Sequence, residues 1–434
     1  MNVVFFAIVL ISFVVASIRQ LTLGVPTPDT PQPMQSLAAG MIETAGSSVT
    51  LAISLIGVMT LFLGLMKVAE NGGLLVIIAR LLRPLMTRLF PDVPAEHPAM
   101  GAMIMNFSAN VMGLGNAATP FGIRAMQALD SLNEHKGTAT NAMVLFLAIN
   151  TSSVTLLPTG VIALRAATGS TDPAAILPTT LFATLCSTGI AICSAKLFQR
   201  WCPITKKAVV VPAADLQPAP SDVPELPAPM EEIQGAYPIW VSLLAVFVII
   251  TLIPLTIMYG RAVSPWIVPG LMVGLLGFGM LRGVRVYEAF VDGARDGFQV
   301  AVRIIPYLVA ILVAVGMFRA SGAMELLVEP LGALTKLVGL PAEALPMALL
   351  RPLSGSGSYG ILASILSDPA TGPDTYVGLL VSTFQGSTET TFYVLAVYFG
   401  AVQIRRVRHA LAAGLTADFV GIAAAVFICA ALFA

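Results

Sequence analysis

Charged residues are scarce in this chain. Aspartate, glutamate, lysine and arginine make up 11% of the 434 residues, against about 25% in an ordinary soluble domain. Hydrophobic residues account for 57%, and the mean hydropathy is +0.88. Basic and acidic residues number 23 each, so the formal net charge is zero and no overall field attracts nucleic acid. This composition excludes a soluble enzyme and gives no support to a nucleic-acid partner.

Histidine and cysteine are also rare, with three and four copies respectively. None of them has the spacing of a metal site or a redox motif. The sequence contains no nucleophile–base motif, phosphate-binding loop or metal-binding motif. We therefore expect no metal, no cofactor and no catalytic residues, and a protein that is not an enzyme.

Long apolar runs dominate the chain instead. Lipid offers the backbone no hydrogen bonds, so such runs must form helices or a closed barrel, and continuous rather than alternating runs predict helices. A spanning helix needs about 20 apolar residues. The predicted crossings are Met1–Ser17, Val49–Val68, Ala139–Leu164, Ile176–Leu197, Ile239–Met258, Trp266–Leu281, Ile304–Phe318, Tyr376–Val402 and Ala410–Phe433. The first run has no basic residue before it and no small-residue cleavage site after it, which favours a helix over a signal peptide.

The composition changes at residues 203–237, which are rich in proline, alanine and acidic residues. Prolines at this density cannot sustain a helix, so the segment is predicted to be a solvated linker. It divides the chain into two membrane domains, residues 1–202 and 238–434.

The two domains follow one plan. Each has an apolar helix, an amphipathic segment (Leu74–Phe90 or Met324–Val338), a proline turn and a stretch rich in small polar residues. A polar-centred spanning helix and a last apolar helix follow. Such internal symmetry is typical of secondary transporters. When lysines and arginines are placed on the cytoplasmic side, the two repeats have opposite orientations. We therefore predict an all-α polytopic membrane protein with two inverted transporter-like repeats.

Four polar segments lie in membrane-embedded surroundings: Met105–Met126, Asn150–Thr155, Arg351–Gly360 and Gln385–Thr391. Non-helical backbone at membrane depth survives only where protein or a water-filled cavity surrounds it. The first and third segments contain glycines that permit tight turns, and they predict re-entrant hairpins. The other two interrupt apolar spans and predict discontinuous helices.

Two carboxylates, Glu389 and Asp418, fall within predicted spans. A charge at the membrane centre costs about 2.5–3.5 kcal/mol on insertion scales, which favours a function or an essential internal partner for Glu389 and leaves both interpretations open for Asp418. Arg351 or another internal basic group is a candidate partner for one of them. A second interpretation is structural. Small polar residues also join membrane helices through close packing and interhelical hydrogen bonds.

Longer motifs carry a resemblance to known families. The segments MNFSANVMGLGNAATPFGIRAMQ and FLAINTSSVTLLPTGVIALRAATGS resemble the spore maturation protein A family. The segments DGARDGFQVAVRIIPYLVAILVAVGMFRASGA, LLRPLSGSGSYGI and QGSTETTFYVLAVYFGAV resemble the spore maturation protein B family. The chain thus resembles a natural fusion of A with B, which implies that the two act as a one-to-one pair.

The resemblance implies a nucleoside recognition (Gate) domain in each half, shared with concentrative nucleoside transporters and ferrous iron transporter B. In spore-forming bacteria the family is associated with dehydration of the spore core. In the nucleoside transporters, hairpin tips and discontinuous helices contact the solute. By that resemblance, the implied substrate-binding residues are Asn106, Ser108, Asn110, Asn150, Thr151, Ser152, Ser354, Ser356, Ser358, Gln385, Ser387, Thr388 and Glu389.

Two functional hypotheses follow. The first is a transporter-like protein of the bacterial cytoplasmic (inner) membrane that holds a small polar solute or cation between inverted repeats, with the hairpins gating access. The second is a non-transporting scaffold or regulator of cell-envelope enzymes. The expected partners are the lipid bilayer, a small polar solute or cation, and either further copies of the chain or an envelope protein.

Overall fold

The computed structural model describes residues 2–22, 32–113, 115–152, 154–203, 236–323, 326, 335 and 339–433. In this part of the chain the regular elements are helices, and no strand is present. The helices are α1 (Asn2–Thr22), α2 (Pro33–Asn71), α3 (Leu74–Leu89), α4 (Pro98–Val111), α5 (Gly115–Ser131), α6 (Asn141–Ser152), α7 (Thr159–Ala167), α8 (Leu177–Phe198), α9 (Ile239–Leu281), α10 (Val286–Ala320), α11 (Leu345–Leu350), α12 (Gly355–Ser367), α13 (Tyr376–Ser387), α14 (Thr391–Val394) and α15 (Ala410–Phe433). A π-helical turn, Leu395–Phe399, extends α14. The predicted all-α fold is confirmed.

Several helices have the length and composition of membrane spans. Among the described residues, four helices are long and apolar enough to cross a bilayer: Phe5–Thr22, Pro33–Asn71, Leu177–Phe198 and Ala410–Phe433. Large apolar side chains such as Phe6, Trp240 and Phe419 are more than 60% exposed in the isolated chain. Exposed apolar surface on this scale fits a lipid environment rather than water.

Some helix boundaries differ from the predicted spans. Helix α2 has 39 residues because Pro33, which is well suited to the first turn of a helix, starts it well before Val49. Helix α9 has 43 residues and covers two predicted spans. The predicted span Ala139–Leu164 is two helices, α6 and α7, separated by a break. The predicted linker 203–237 lies almost entirely outside the described residues.

The same order of elements occurs twice. In the first half a long helix, α2, precedes a hairpin (α4–α5), a broken helix (α6–α7) and a last helix (α8). In the second half α10 precedes a hairpin (α11–α12), a broken helix (α13–α14) and a last helix (α15). The amphipathic helix α3 follows α2; its predicted counterpart, Met324–Val338, falls almost wholly outside the described residues.

The long helices α2 and α10 lie antiparallel to each other. Gly64, near the end of α2, faces Phe290, near the start of α10. Gly40, near the start of α2, faces Ala320, the last residue of α10. Because α2 and α10 are equivalent elements of the two repeats, their opposite directions mean that the repeats are inverted.

The last helices of the two halves, α8 and α15, repeat this arrangement. The rings of Phe182 and Phe427 have centroids 6.2 Å apart. Further along α8, and correspondingly earlier in α15, the Ser187 hydroxyl donates a hydrogen bond of 2.9 Å to the carbonyl oxygen of Ala417. Two antiparallel pairs of equivalent helices support a two-fold axis in the membrane plane, as in other inverted-repeat folds.

The hydrophobic core joins the halves rather than separating them. One cluster combines α3–α6 with the end of the second broken helix, and a second combines α11–α13 and α15 with α7. A row of rings, Phe90, Phe107, Phe146 and Tyr398, runs through the first cluster with centroid distances of 6.5, 5.3 and 5.9 Å. Each half therefore depends on the other for part of its core.

Two arginines donate hydrogen bonds that join the loops of the two halves. Arg165, fully buried at the end of α7, donates to the carbonyl oxygen of Pro373 at 2.5 Å and to the Asp374 carboxylate at 3.2 Å. Arg408, just before α15, donates to the carbonyl oxygen of Ala139 at 3.0 Å. Arg165 thus connects the end of α7 to the loop before α13, and Arg408 connects the start of α15 to the loop before α6.

We expect Asp374→Asn to destabilise the protein by about 1 kcal/mol, because Arg165 keeps its bonds to carbonyl oxygens but loses its charged partner. Burial alone would raise the pKa of Asp374, but hydrogen bonds from Ser170 and Thr171 and the charge of Arg165 outweigh it and lower that pKa below its ordinary value. A lowered pKa stabilises the fold at pH values above about 4, the pKa of an unfolded aspartate, and this contribution disappears as pH falls further.

Thermal unfolding in detergent, followed as a function of pH, checks this prediction. The difference between the wild-type protein and Asp374→Asn should be constant near neutral pH and should shrink in acid. Asp296→Asn, a change at an exposed aspartate of α10, is the matched control and should show little difference at any pH. A difference for Asp374→Asn that stayed constant into acid would contradict the ionic role.

Candidate functional site

The turn of the first hairpin lies on the break of the first broken helix. The backbone N–H of Leu156, in the break, donates to the carbonyl oxygen of Val111, at the end of α4, at 3.0 Å. Gly113, in the turn, has φ of +76° and lies against the carbonyl of Leu157 so closely that a Cβ atom would overlap it. Both features require glycine there. The hairpin tip is therefore held against the interrupted helix.

The turn of the second hairpin contacts the second break through Arg351, which is 3% exposed. Its guanidinium donates to the Thr390 hydroxyl at 3.0 Å and to the carbonyl oxygen of Gln385 at 3.2 Å. It also donates to the carbonyl oxygen of Thr388. The end of a helix leaves carbonyl groups without partners and carries a partial negative charge. Arg351 thus supplies hydrogen-bond donors to the carbonyl groups at the interrupted end of α13 and offsets the partial negative charge there.

The two breaks also touch each other. The backbone N–H of Glu389 donates to the carbonyl oxygen of Thr151 at 2.7 Å. Across the same region, the Tyr359 hydroxyl of the second hairpin donates to the carbonyl oxygen of Gly160, in the first turn of α7, at 3.0 Å. A carbonyl group at the end of α6 therefore finds its partner in the second break, and a hydroxyl group of the second hairpin bonds the start of α7.

One cavity of about 320 Å³ lies where the hairpin turns and breaks meet. It is lined by Asn110, Gly113, Thr155, Leu157, Pro158, Thr159, Gly160, Val161, Arg351, Gly355, Tyr359, Gln385, Gly386 and Glu389. The Glu389 carboxylate is half exposed and lies 3.7 Å from Arg351, within ion-pair range. The side-chain oxygen of Gln385 is buried without a hydrogen-bond partner among the described residues. The cavity has the size of a small-molecule site and offers one carboxylate, one guanidinium and two amides.

The two repeats contribute different chemistry at equivalent positions. Helices α6 and α13 each have 12 residues and end at Ser152 and Ser387. Counting from these ends, Asn150 corresponds to Gln385, and Val154 corresponds to Glu389. In the first repeat the hairpin side chain that meets the broken helix is Asn110, whose amide donates to Asn150 at 2.9 Å; in the second it is Arg351. Both charges of the site thus come from the second repeat.

The predicted binding residues fall into two groups. Asn110, Gln385 and Glu389 line the cavity. Most of the others are buried and bonded within the protein: the side chains of Ser108, Thr151, Ser152, Ser358 and Ser387 donate to carbonyl groups of their own helices, Ser354 caps α12, and Asn150 bonds Asn110. Thr388 is 4% exposed and Ser356 is exposed, and neither lines the cavity. Their direct contact with a solute stays a prediction.

Asn106 has a role that the sequence did not suggest. Its amide donates to the carbonyl oxygen of Ala118, in the other arm of its hairpin, at 2.7 Å and to the Tyr398 hydroxyl of the second repeat at 3.3 Å. Tyr398 fits against the hairpin because position 122 is glycine; a Cβ atom there would overlap the ring. Asn106 therefore ties the first hairpin to the second broken helix.

Several lining residues were not singled out by the sequence. Thr159 and Val161 line the cavity because they belong to the first turn of α7, which begins directly after the first break. Pro158, directly before α7, was the available signal, since proline often marks the start of a helix. Tyr359 lies within the predicted polar segment Arg351–Gly360 but was not among the predicted binding residues.

Asp418 lies beside this site but does not line the cavity. It is 2% exposed, on α15, and accepts a hydrogen bond of 2.6 Å from the Thr391 hydroxyl through Oδ2. The neighbouring Thr390 hydroxyl accepts from Arg351. Arg351, a predicted partner for one of the two carboxylates, thus lies in ion-pair range of Glu389. The threonine that it bonds, Thr390, is adjacent to Thr391, which bonds Asp418.

This architecture agrees with what sequence comparison finds. Residues 52–168 and 301–405 both match the nucleoside recognition family called Gate, and together they cover half of the chain. The chain belongs to the Gate family. Each match covers the later part of the long helix, the hairpin and the broken helix of one repeat, so the two Gate regions contain all the residues that line the cavity.

Curated relatives of this Gate protein include two proteins of Bacillus subtilis (strain 168). It is 43% identical to spore maturation protein B over 166 residues, which are 38% of this chain and 92% of the relative. It is 46% identical to spore maturation protein A over 154 residues, which are 36% of this chain and 79% of the relative. The resemblance to both families is confirmed. Among solved structures, the Alcanivorax borkumensis YdaH transporter aligns over 99% of this chain and 97% of its own, with 14% identity and a TM-score of 0.38.

Proposed function

We propose that this protein is a transporter-like membrane protein that binds a small polar solute or cation in the cavity between its two inverted repeats. The observation that carries the proposal is the meeting of both hairpin turns and both helix breaks around one cavity that contains the Glu389 carboxylate. In secondary transporters, discontinuous helices at a repeat interface form the substrate site near the bilayer midplane. A rigid scaffold would gain nothing from four interruptions around one polar space.

The chemistry of the lining indicates the class of solute. The Glu389 carboxylate lies 3.7 Å from Arg351 and accepts no hydrogen bond from the described residues. It is therefore available to a donor group or a cation. Gln385 has a free acceptor, and Asn110 and Tyr359 add polar groups to the wall. A compact solute with several hydrogen-bond donors, as in a nucleoside, an amino compound or a hydrated cation, fits these groups.

The proposal includes the setting of the protein. An all-α multi-pass protein of a bacterium belongs in the cytoplasmic (inner) membrane, because outer-membrane proteins are barrels. The domains proposed from the sequence, 1–202 and 238–434, each hold one Gate region, and 203–237 connects them. The solute, and any further copy or envelope partner, are for the binding experiments to identify. The names of the two relatives refer to spore maturation and specify no solute.

A thermal-shift screen of the purified protein tests the proposal, with nucleosides, nucleobases, small carboxylates, amino acids and cations as the panel. A ligand present at 100 times its dissociation constant stabilises a protein by about 2.7 kcal/mol, which is readily seen as a higher unfolding temperature. We expect at least one compound to shift the wild-type protein and to lose its effect with Glu389→Gln. Uptake of that compound into proteoliposomes then tests transport.

Glu288→Gln, at an exposed glutamate in the first turn of α10, is the matched control and should retain the shift. If the whole panel failed to shift the wild-type protein, and Glu389→Gln only lowered the unfolding temperature, the cavity would be a packing feature. The scaffold hypothesis would then be favoured. A shift that survives Glu389→Gln unchanged would overturn the role of this carboxylate.

A further inference from the structure

Asp418 is a buried carboxylate that the cavity does not use. Its Oδ2 accepts from Thr391, while its Oδ1 is buried without a hydrogen-bond partner among the described residues. The nearest titratable groups along this part of the chain are His409, nine positions earlier and just before α15, and Cys429, eleven positions later in α15. An ionised carboxylate with one unpartnered oxygen in a dry interior is costly. Something must neutralise it.

The protein supplies too little positive charge to do so. Arg351 and Glu389 are the charged groups that act on Asp418. The helices packed against α15 present uncharged groups, with Thr151 of α6 near Gly414 and Ser187 of α8 bonded to the α15 backbone. One guanidinium therefore faces two carboxylates. When both carboxylates are ionised, Arg351, Glu389 and Asp418 together have a formal charge of −1. Arg351 is already committed to the end of α13 and lies in ion-pair range of Glu389.

We propose that Asp418 is a proton-binding site, and that its proton completes the Arg351–Glu389–Asp418 cluster. Protonation forms an O–H bond at the unpartnered carboxylate oxygen, with the proton taken from water that reaches the cavity, and it brings the cluster to zero charge. A metal cation fits less well, because such ions require several oxygen ligands. Oδ1 has no hydrogen-bond partner among the described residues. No group of three or more His, Cys, Asp or Glu side chains suited to a metal occurs in that part of the chain either.

The shared arginine links this proton to the cavity. While the cavity is empty, Glu389 and Asp418 compete for one guanidinium. A solute that binds Glu389 through a donor group or positive charge releases Arg351 from that competition, and Arg351 then favours the ionised form of Asp418. Solute binding and proton binding therefore oppose each other, and by thermodynamic linkage the effect is reciprocal. This coupling, unlike the proton site itself, rests on the proposed function.

Infrared spectroscopy of the purified full-length protein tests the proton site without any solute. The carbonyl stretch of a buried protonated carboxyl group should be present in the wild-type protein at low pH and should decrease as the pH is raised. It should be absent in Asp418→Asn, which can still accept the Thr391 hydrogen bond, and unchanged in Asp296→Asn. Thr391→Val keeps the carboxyl group but removes its donor, so it should change the pH at which the band disappears. The same titrating band in wild type and Asp418→Asn would overturn the proposal.

A second experiment tests the coupling. The protein is reconstituted in vesicles that contain a pH-sensitive dye, and a mixture of nucleosides is added outside as the probe. We expect a dye response with the wild-type protein that is lost with Asp418→Asn and kept with Asp296→Asn. An equal response with wild type and Asp418→Asn would refute the coupling. No response from any protein, together with the expected infrared titration, would count against nucleoside transport while the proton site stands.

Discussion

Replacing Arg351 with methionine is expected to destabilise the protein by about 3–5 kcal/mol, the cost of removing one partner from a buried ionic cluster. Methionine fills a similar volume but leaves Glu389 and Asp418 without a cation. It also leaves the end of α13 without donors for the carbonyl groups of Gln385 and Thr388. A much lower thermal unfolding temperature in detergent is the expected measurement.

A second substitution separates charge from hydrogen bonding. Arg351→Lys keeps the positive charge, but an ammonium group cannot reproduce the planar fork that reaches Thr390, Gln385 and Thr388 together, so its stability should be intermediate. In the background of Arg351→Met, at a pH high enough to ionise Asp418, Asp418→Asn should recover part of the loss, because it removes one of the two carboxylates left without a cation. Coupling of this kind between neighbouring residues is typically about 0.5–3 kcal/mol. If Arg351→Met and Asp418→Asn were simply additive at that pH, the two residues would not belong to one electrostatic cluster.

The architecture was largely predictable because its signals are local. Apolar runs of spanning length predicted helices, and polar residues at the centres of two runs predicted that α6–α7 and α13–α14 are interrupted. The order of elements in each half predicted a repeat, and the distribution of lysines and arginines predicted its inversion. The length of α2 was missed because its first turns contain small and polar residues, such as Thr44 and Ser48, whose hydroxyl groups bond back to helix carbonyls. Such residues look like a loop in a hydropathy pattern.

The site was only partly predictable, since its decisive contacts connect residues far apart in the chain. Asn106 belongs to a polar segment, but its contact with Tyr398 crosses 292 positions. A sequence pattern that marks a residue as polar cannot distinguish a side chain that lines a cavity from one that joins two helices. Glu389 was identifiable because an intramembrane charge is costly, and the same argument identified Asp418. The buried serines were predicted by type alone, and most of them bond their own helix.

The last prediction concerns the contact between α2 and α10, the two helices that relate the repeats. Gly297→Ala is expected to destabilise the protein by about 1–3 kcal/mol, as for other overpacked sites. A Cβ atom at position 297 would lie 2.8 Å from the Cα atom of Thr60 and 2.9 Å from the carbonyl oxygen of Met59. These are backbone atoms, so no side-chain rotation can relieve the overlap. Gly293, one turn earlier, faces α2 just as closely, and the spacing of the two glycines is the one that lets membrane helices approach.

Gly274→Ala, on α9, is the matched control, and it is not expected to lower the stability of the protein. No atom lies within 4 Å of a Cβ atom at that position, so helix propensity alone predicts a neutral change or a gain of about 0.5–1 kcal/mol. Gly297→Ala should therefore lower the thermal unfolding temperature, whereas Gly274→Ala should leave it unchanged or raise it, and size-exclusion chromatography checks that both variants remain folded. A gain in stability for Gly297→Ala would mean that α2 and α10 are not in backbone contact. The inverted pairing, and with it the cavity that the two repeats enclose, would then need a different arrangement.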